Sequence, residues 1–262
     1  LMGGAGLGAA HLVWSGLGWL PGVPPPWVLA LAGLLLGLGL LFSLAHLGRP
    51  MRGPLALRRV GASPLSNEVL IVSLAVCACL GAAWIPAGHP VGGPLSWLAL
   101  LLCVFSLLSL GSVYRIPGQL TWIGPVVFHP LVLGLGFGAT VLLGSLPGEA
   151  NARGELFVLA LYFFDGILVW ERIRRLGSAL SRGSPARASF VSRRAFAFTA
   201  RILLGVLLPA AALITGVTGP GIVSLSCNLL LDRTLFYGLA VKASTEAEVR
   251  NVEAVLAWDR RG

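Results

Sequence analysis

Apolar stretches about 20 residues long recur along the whole chain, and each is long enough to cross a membrane as a helix. Between them lie short segments rich in proline, glycine and arginine, which are typical of turns and of the membrane surface. Charged residues make up 11% of the 262 residues, whereas soluble domains contain about 25%. The sequence therefore predicts an all-α integral membrane protein with a single membrane domain over residues 1–262.

Eight transmembrane helices in a polytopic bundle are predicted from the apolar stretches and the turns between them. Their predicted limits are 2–20, 27–45, 65–85, 94–113, 126–146, 154–172, 197–215 and 222–243. Ser63 and Pro64 together indicate a helix start, with Ser63 as the N-cap and Pro64 at the first helical position. This start places Glu68 in the second turn of the third helix, near the membrane surface.

The 19 lysines and arginines are distributed unevenly between the two ends of the predicted bundle. All except Arg153 and Arg233 lie in the segments after predicted helices 2, 4 and 6, at the start of helix 7 or in the C-terminal tail. That pattern agrees with eight spans and with both termini on one side, which the positive-inside rule assigns to the cytoplasm. A net charge of +9 would suggest nucleic acid as the partner of a soluble protein. In this chain it indicates contacts with membrane lipid or protein subunits, and no nucleic-acid partner is expected.

Residues 46–68, HLGRPMRGPLALRRVGASPLSNE, are the most polar segment between two predicted helices. His46 ends the second helix and Glu68 begins the third, so their side chains can meet at one membrane face. A quinol site needs hydrogen-bond partners for two oxygens and a group that titrates near neutrality, which histidine provides. The candidate quinol-binding residues are therefore His46, Glu68, Arg49, Asn67 and Arg59. The alternative is that these arginines only anchor the segment among lipid headgroups.

The stretches HLGRPMR, LRRVGASPLSNE and VYRIPGQLTW resemble the DmsC-type anchor subunit of dimethyl sulfoxide reductase and related molybdenum oxidoreductases. The resemblance implies a subunit without its own redox centre that oxidises menaquinol in a bacterial or archaeal cytoplasmic membrane. It also implies two partners, a four-cluster iron–sulfur subunit and a molybdopterin catalytic subunit. The family's quinol-site histidine and glutamate fall on His46 and Glu68.

The face that carries residues 46–68 is also the expected docking face for the iron–sulfur subunit, because electrons must travel a short distance from the quinol. The candidate docking residues are Arg52, Arg58 and Arg115. Members of the resembled family keep this face in the periplasm, whereas the charge distribution assigns it to the cytoplasm. The sequence leaves the orientation open.

Ionisable residues inside the predicted spans are expected to pair with one another, because an isolated charge in lipid is costly. Asp165, Asp232 and Arg233 are the candidates, and Arg233 is expected to contact Asp165, Asp232 or Glu68. A structural pairing is the first interpretation. The second is that Asp165 lies on a proton path.

Metal and haem sites are not expected in this chain. Iron–sulfur clusters need grouped cysteines, whereas Cys77, Cys79, Cys103 and Cys227 are dispersed within apolar stretches and are expected to be buried. Haem b would need two axial histidines inside spans, and His11 alone is well placed for that. A transporter of a small molecule and a haem b quinol-oxidising cytochrome are the alternatives to an anchor subunit.

Overall fold

The computed structural model describes residues 1–45, 58, 60–86, 88–113, 128–143, 146, 148–179 and 198–232. Within these ranges the regular structure is entirely helical, as predicted, and no strand is present. Eight helices are described, in chain order α1 to α8. Their bounds are Met2–Gly16, Pro26–Ala45, Pro64–Trp84, Gly92–Val113, His129–Leu143, Gly148–Ala179, Phe198–Ile214 and residues 218–232.

Three of the described helices are long and apolar enough to cross a membrane: Pro26–Ser43, Pro64–Trp84 and Gly92–Ser112. The apolar helices His129–Leu143 and Phe198–Ile214 are shorter. The protein is therefore a helical membrane protein, while the number of eight spans stays a prediction.

Two helices differ in length from their predicted limits. Helix α1 ends at Gly16 and not near residue 20, and Gly18 then adopts a φ of +72°, which favours glycine. Helix α6 has 32 residues, many more than the predicted 154–172. Its polar ends, GEANAR and ERIRRLGSA, continue the helix beyond the apolar part. Hydropathy detects only the apolar part, whereas these ends contain good helix formers.

Helix α1 lies at the centre of the first five helices and packs against α2, α4 and α5. Its contact with α5 is so close that a Cβ on Gly138 would overlap the carbonyl of Gly6. A Cβ on Gly134 would lie 3.1 Å from the carbonyl oxygen of Met2. Glycines four residues apart allow such close backbone packing between membrane helices. The pairing also shows that α1 and α5 run in the same direction.

Helices α2 and α3 run antiparallel in a register that two glycines reveal. A Cβ on Gly33 would lie 2.8 Å from Leu80 Cδ2, and one on Gly37 would lie 3.7 Å from Val76 Cγ1. From Gly37 and Val76, about two further turns lead forward along α2 to Ala45, its last residue, and back along α3 to Glu68. Ala45 and Glu68 therefore lie at the same level.

The cysteines divide into two groups. Cys79 and Cys103 are buried between α3 and α4, with their sulfurs 3.8 Å apart. Cys77 and Cys227 are exposed on helix surfaces, so the expectation that all four are buried was wrong for these two. Both lie on helix positions that face away from the described neighbours, which an apolar thiol tolerates next to lipid.

The close contact between α1 and α5 predicts that Gly138→Ala destabilises the protein. The added methyl group would overlap the Gly6 carbonyl, so the two helices must separate. Overpacking of this kind costs about 1–3 kcal/mol. Gly219→Ala in α8 is the matched control, because nothing lies within 4 Å of that position. Equal thermal midpoints (Tm) for the two purified variants in detergent would contradict this packing.

Candidate functional site

Four polar side chains meet in the interior of the bundle, one from each of the helices α5, α6, α7 and α8. They are His129, Asp165, Arg201 and Asp232, and each is at most 5% exposed. We call them the four-helix polar cluster. Because these residues are far apart in sequence, their convergence depends on how the four helices pack.

Arg201 lies between the two carboxylates of the four-helix polar cluster. Its Nε donates a hydrogen bond to Asp232 Oδ1 at 3.0 Å, and its Nη1 donates one to Asp165 Oδ2 at 3.4 Å. A guanidinium group carries several fixed donors and stays charged, so it can hold two carboxylates at once. Arg201 is thus the ionic link between α6 and α8.

His129 completes the cluster from the first turn of α5. Its Nε2 is 3.0 Å from Asp165 Oδ1, and its Nδ1 is 3.7 Å from Asp232 Oδ2. Nε2 also contacts Arg201 Nη2. The imidazole therefore has an acidic group next to each of its nitrogens.

Helix α7 contains an irregular turn next to the four-helix polar cluster, and α8 bonds to that turn. Residues Leu203–Leu207 form a π-helical turn just after Arg201, and such turns often occur at functional sites. Ser224 Oγ of α8 donates a hydrogen bond to the Leu204 carbonyl within this turn at 2.7 Å. The extra residue in the turn thus brings a backbone acceptor toward α8.

The residues that the sequence placed at a quinol site are described only in part. Glu68 is buried, with 7% exposure, in the first turns of α3. Asn67 Oδ1 accepts a hydrogen bond from the Gly61 backbone N–H at 2.7 Å, and Gly61 has a φ of +85°. Asn67 therefore fixes the turn that leads into α3, and Arg58, just before that turn, is exposed. The remaining candidates lie outside the described residues: His46, Arg49, Arg52, Arg59, Arg115 and Arg233.

Glu68 and the four-helix polar cluster lie toward the same end of the bundle. Leu1, the residue just before α1, lies against Gly39 near the end of α2, and the end of α2 is level with Glu68. Since α5 runs parallel to α1, with Gly134 beside Met2, His129 also lies toward this end. We call it the Glu68 end. Gly154 of α6 lies near Trp14, close to the C-terminus of α1, and so marks the opposite end.

Arg201 is the functional candidate that sequence reasoning missed. It was grouped with the basic residues at the membrane surface, yet it is buried and pairs with Asp165 and Asp232, the role expected of Arg233. One signal was available. Arg201 follows the apolar segment AFAFTA, whereas most of the other arginines lie in polar stretches.

The two described buried histidines both make polar contacts through Nε2. His129 contacts Asp165 and Arg201, and His11 Nε2 lies 3.1 Å from the Pro21 carbonyl oxygen near the opposite end. In the described part of the chain, no group of three His, Cys, Asp or Glu side chains is arranged to hold a metal ion. Within the cluster, the guanidinium group takes the position between the carboxylates.

Comparison with protein families gives a match to "DMSO reductase anchor subunit (DmsC)" over residues 28–239, which is most of the chain. The chain belongs to the DmsC family. All eight described helices except α1 overlap the matched range, and the four-helix polar cluster and Glu68 both lie inside it. The resemblance that the sequence segments suggested is therefore confirmed.

A curated relative is the anaerobic dimethyl sulfoxide reductase chain YnfH of Escherichia coli (strain K12). The two sequences are 32% identical over a match 155 residues long, which covers 53% of this chain and 52% of YnfH. The chain thus matches about half the length of this relative. No solved structure matches.

The ion pairs predict that Arg201→Leu strongly destabilises this DmsC-family protein. The substitution removes the guanidinium group that pairs with both buried carboxylates, and removal of one partner from a buried ion pair costs about 3–5 kcal/mol. The control is Arg174→Leu, because Arg174 pairs with Glu171 at 2.7 Å but its side chain is 65% exposed. We expect a clear loss of Tm in detergent for the first variant and almost none for the second. Similar losses would show that the cluster does not depend on its ion pairs.

Proposed function

We propose that this chain is the membrane anchor subunit of a molybdenum oxidoreductase complex in a bacterial or archaeal cytoplasmic membrane. In this proposal it crosses the membrane eight times, binds menaquinol and passes electrons to an iron–sulfur subunit. It contains no metal or haem of its own. Membership of the DmsC family and the apolar helices support the role as an anchor.

The position of Glu68 is the observation that supports the proposed quinol site. A buried carboxylate in the first turns of α3, level with the last residue of α2, lies where two helices reach the membrane surface. Intramembrane carboxylates are rare and commonly mark pathways for protons or ligands. His46 follows α2 directly in the sequence, so both candidate residues belong to the same helix–helix junction.

The oxidation of a quinol requires groups that the junction of α2 and α3 can provide. On oxidation to the quinone, a quinol gives up two electrons and two protons. The electrons leave to an iron–sulfur cluster of the partner, and the protons need an acceptor within hydrogen-bond distance of the two oxygens. We assign this role to His46 and Glu68, while Arg49, Asn67 and Arg59 surround the quinol head group.

The partners in this proposal are an iron–sulfur subunit and a molybdopterin catalytic subunit. The iron–sulfur subunit docks at the Glu68 end, because electron transfer from the quinol requires a short distance. Arg58 is exposed at that end, and an arginine there can pair with carboxylates of the partner and orient it. We assign docking to Arg58, together with Arg52 and Arg115.

We predict that Glu68→Gln lowers menaquinol oxidation by at least about 100-fold, the lower end of the range of about 10²–10⁴ that general acid–base groups contribute. The amide keeps the shape of the side chain but cannot accept the quinol proton. Glu155→Gln in α6 is the matched control, since Glu155 accepts a hydrogen bond from Asn151 near the opposite end. Activity is measured on the assembled complex with a water-soluble menaquinol analogue.

If Glu68→Gln co-purifies with its partners and retains full activity, the quinol site lies elsewhere. If both glutamine variants lose activity equally, the loss reflects general damage to the bundle and not a site at Glu68. Co-purification of each variant with the iron–sulfur subunit separates loss of activity from loss of assembly.

A second prediction concerns docking. Arg58→Glu should reduce the amount of iron–sulfur subunit that co-purifies, because a carboxylate at an exposed position of the Glu68 end would repel an acidic partner. Arg153→Glu is the matched control, since Arg153 is also exposed but lies next to Gly154 near the opposite end. If Arg153→Glu dissociates the complex and Arg58→Glu does not, the assignment of the Glu68 end as the docking face is wrong.

A further inference from the structure

Two cysteine side chains contact each other in the interior of the first four helices. Cys79 of α3 and Cys103 of α4 are both 0% exposed, and their Sγ atoms are 3.8 Å apart. A thiol is a weak hydrogen-bond donor and a weak acceptor, so either sulfur can donate to the other. Both thiols are free, and the pair is therefore in its reduced form.

Backbones of the two other helices border this pair. A Cβ on Gly8 of α1 would lie 2.5 Å from Cys103 Sγ. A Cβ on Gly33 of α2 would lie 3.2 Å from Cys79 Cβ. The two thiols thus lie where α1, α2, α3 and α4 meet.

The distance between the sulfurs brings a disulfide within reach. The two sulfurs of a disulfide are about 2.05 Å apart, so Cys79 and Cys103 would have to approach by about 1.8 Å more. Each sulfur can turn about its Cα–Cβ bond between staggered rotamers. Among the four cysteines, all of which are described, this is the one pair of sulfurs in contact.

The position of the pair selects the kind of oxidant. Cys79 and Cys103 lie inside Pro64–Trp84 and Gly92–Ser112, two of the helices that are long and apolar enough to cross a membrane. A water-soluble disulfide would have to leave water to reach them, whereas a quinone dissolves in lipid. A quinone takes up two electrons and two protons, the same numbers that two thiols release when they form a disulfide.

We propose that Cys79 and Cys103 are a redox pair that a lipid-soluble quinone oxidises to a disulfide. Both S–H bonds break and one S–S bond forms. The two electrons and the two protons pass to the two oxygens of the quinone, which becomes a quinol. Because the thiols are buried, the reaction proceeds when the contact between α3 and α4 opens locally. The proposal does not depend on quinol oxidation at Glu68.

The first test counts the free thiols of the full chain. Reduced protein in detergent is incubated without air with decylubiquinone, a benzoquinone whose ring carbons are all substituted and which therefore cannot add to thiols. The chain is then unfolded and alkylated with N-ethylmaleimide, and its intact mass is measured. The chain has four cysteines, so wild type should carry four labels before quinone treatment and two afterwards. Peptide mapping should place the link between Cys79 and Cys103.

Two variants assign the reaction to the buried pair. Cys103→Ser lacks one sulfur of the pair and should keep its three labels after quinone treatment. The matched control combines Cys77→Ser with Cys227→Ser, which removes the two exposed sulfurs and leaves the buried pair intact. This control should lose both of its labels.

The second test treats the oxidised wild type with dithiothreitol. Four labels should return, because a disulfide can be reduced by a thiol, whereas sulfinic and sulfonic acids cannot. Persistent loss of labels would show irreversible oxidation of single cysteines and would overturn the proposal.

The general oxidant copper–phenanthroline distinguishes the remaining outcomes. If it links Cys79 to Cys103 while the quinone leaves four labels, the pair is only a packing contact and the proposal is wrong. If neither oxidant forms the link, the contact between the two sulfurs is itself wrong. Links between chains through Cys77 or Cys227 alone would also contradict the proposal. A complex that never oxidises quinol would end the proposed function, whereas these label counts would still decide the redox pair.

Discussion

Compensation of buried charge is the constraint on which the second half of this bundle depends. Helices α5 to α8 each bring one polar side chain into a region where water cannot screen it. Arg201 satisfies two carboxylates at once, and His129 contacts both. Since no member can leave without exposing another to an apolar environment, these contacts fix which faces of the four helices meet.

The first half of the bundle is held together by a different interaction. Helices α1 and α5 approach until glycine backbones touch, and α2 packs on α3 through Gly33 and Gly37. In lipid there is no hydrophobic force between apolar helices, so close van der Waals packing must provide the association. Helix α5 takes part in both interactions, because Gly134 and Gly138 pack on α1 while His129 joins the cluster. It is the helix that couples the two halves.

The sequence predicted the helices well, since apolar length and turn residues are local properties. Ser63 and Pro64 gave the start of α3, and hence the place of Glu68. The partner of Asp165 and Asp232 could not be derived in the same way. Arg201 and Arg233 are both available along the chain, and only the packing of α7 against α6 and α8 shows that Arg201 reaches both carboxylates. The cluster is a property of tertiary structure that no single stretch of sequence contains.

Glu68 and the four-helix polar cluster differ in how many helices depend on them. Glu68 lies in the first turns of α3, level with the last residue of α2, so it belongs to the junction of two helices. The cluster joins four helices, and each of its two carboxylates contacts both Arg201 and His129. A change to one member of such a network alters the contacts of the others, so its effects are not additive. The helix junction is therefore the better position for a site that exchanges a bound molecule, and the cluster is the better position for contacts that fix how the helices pack.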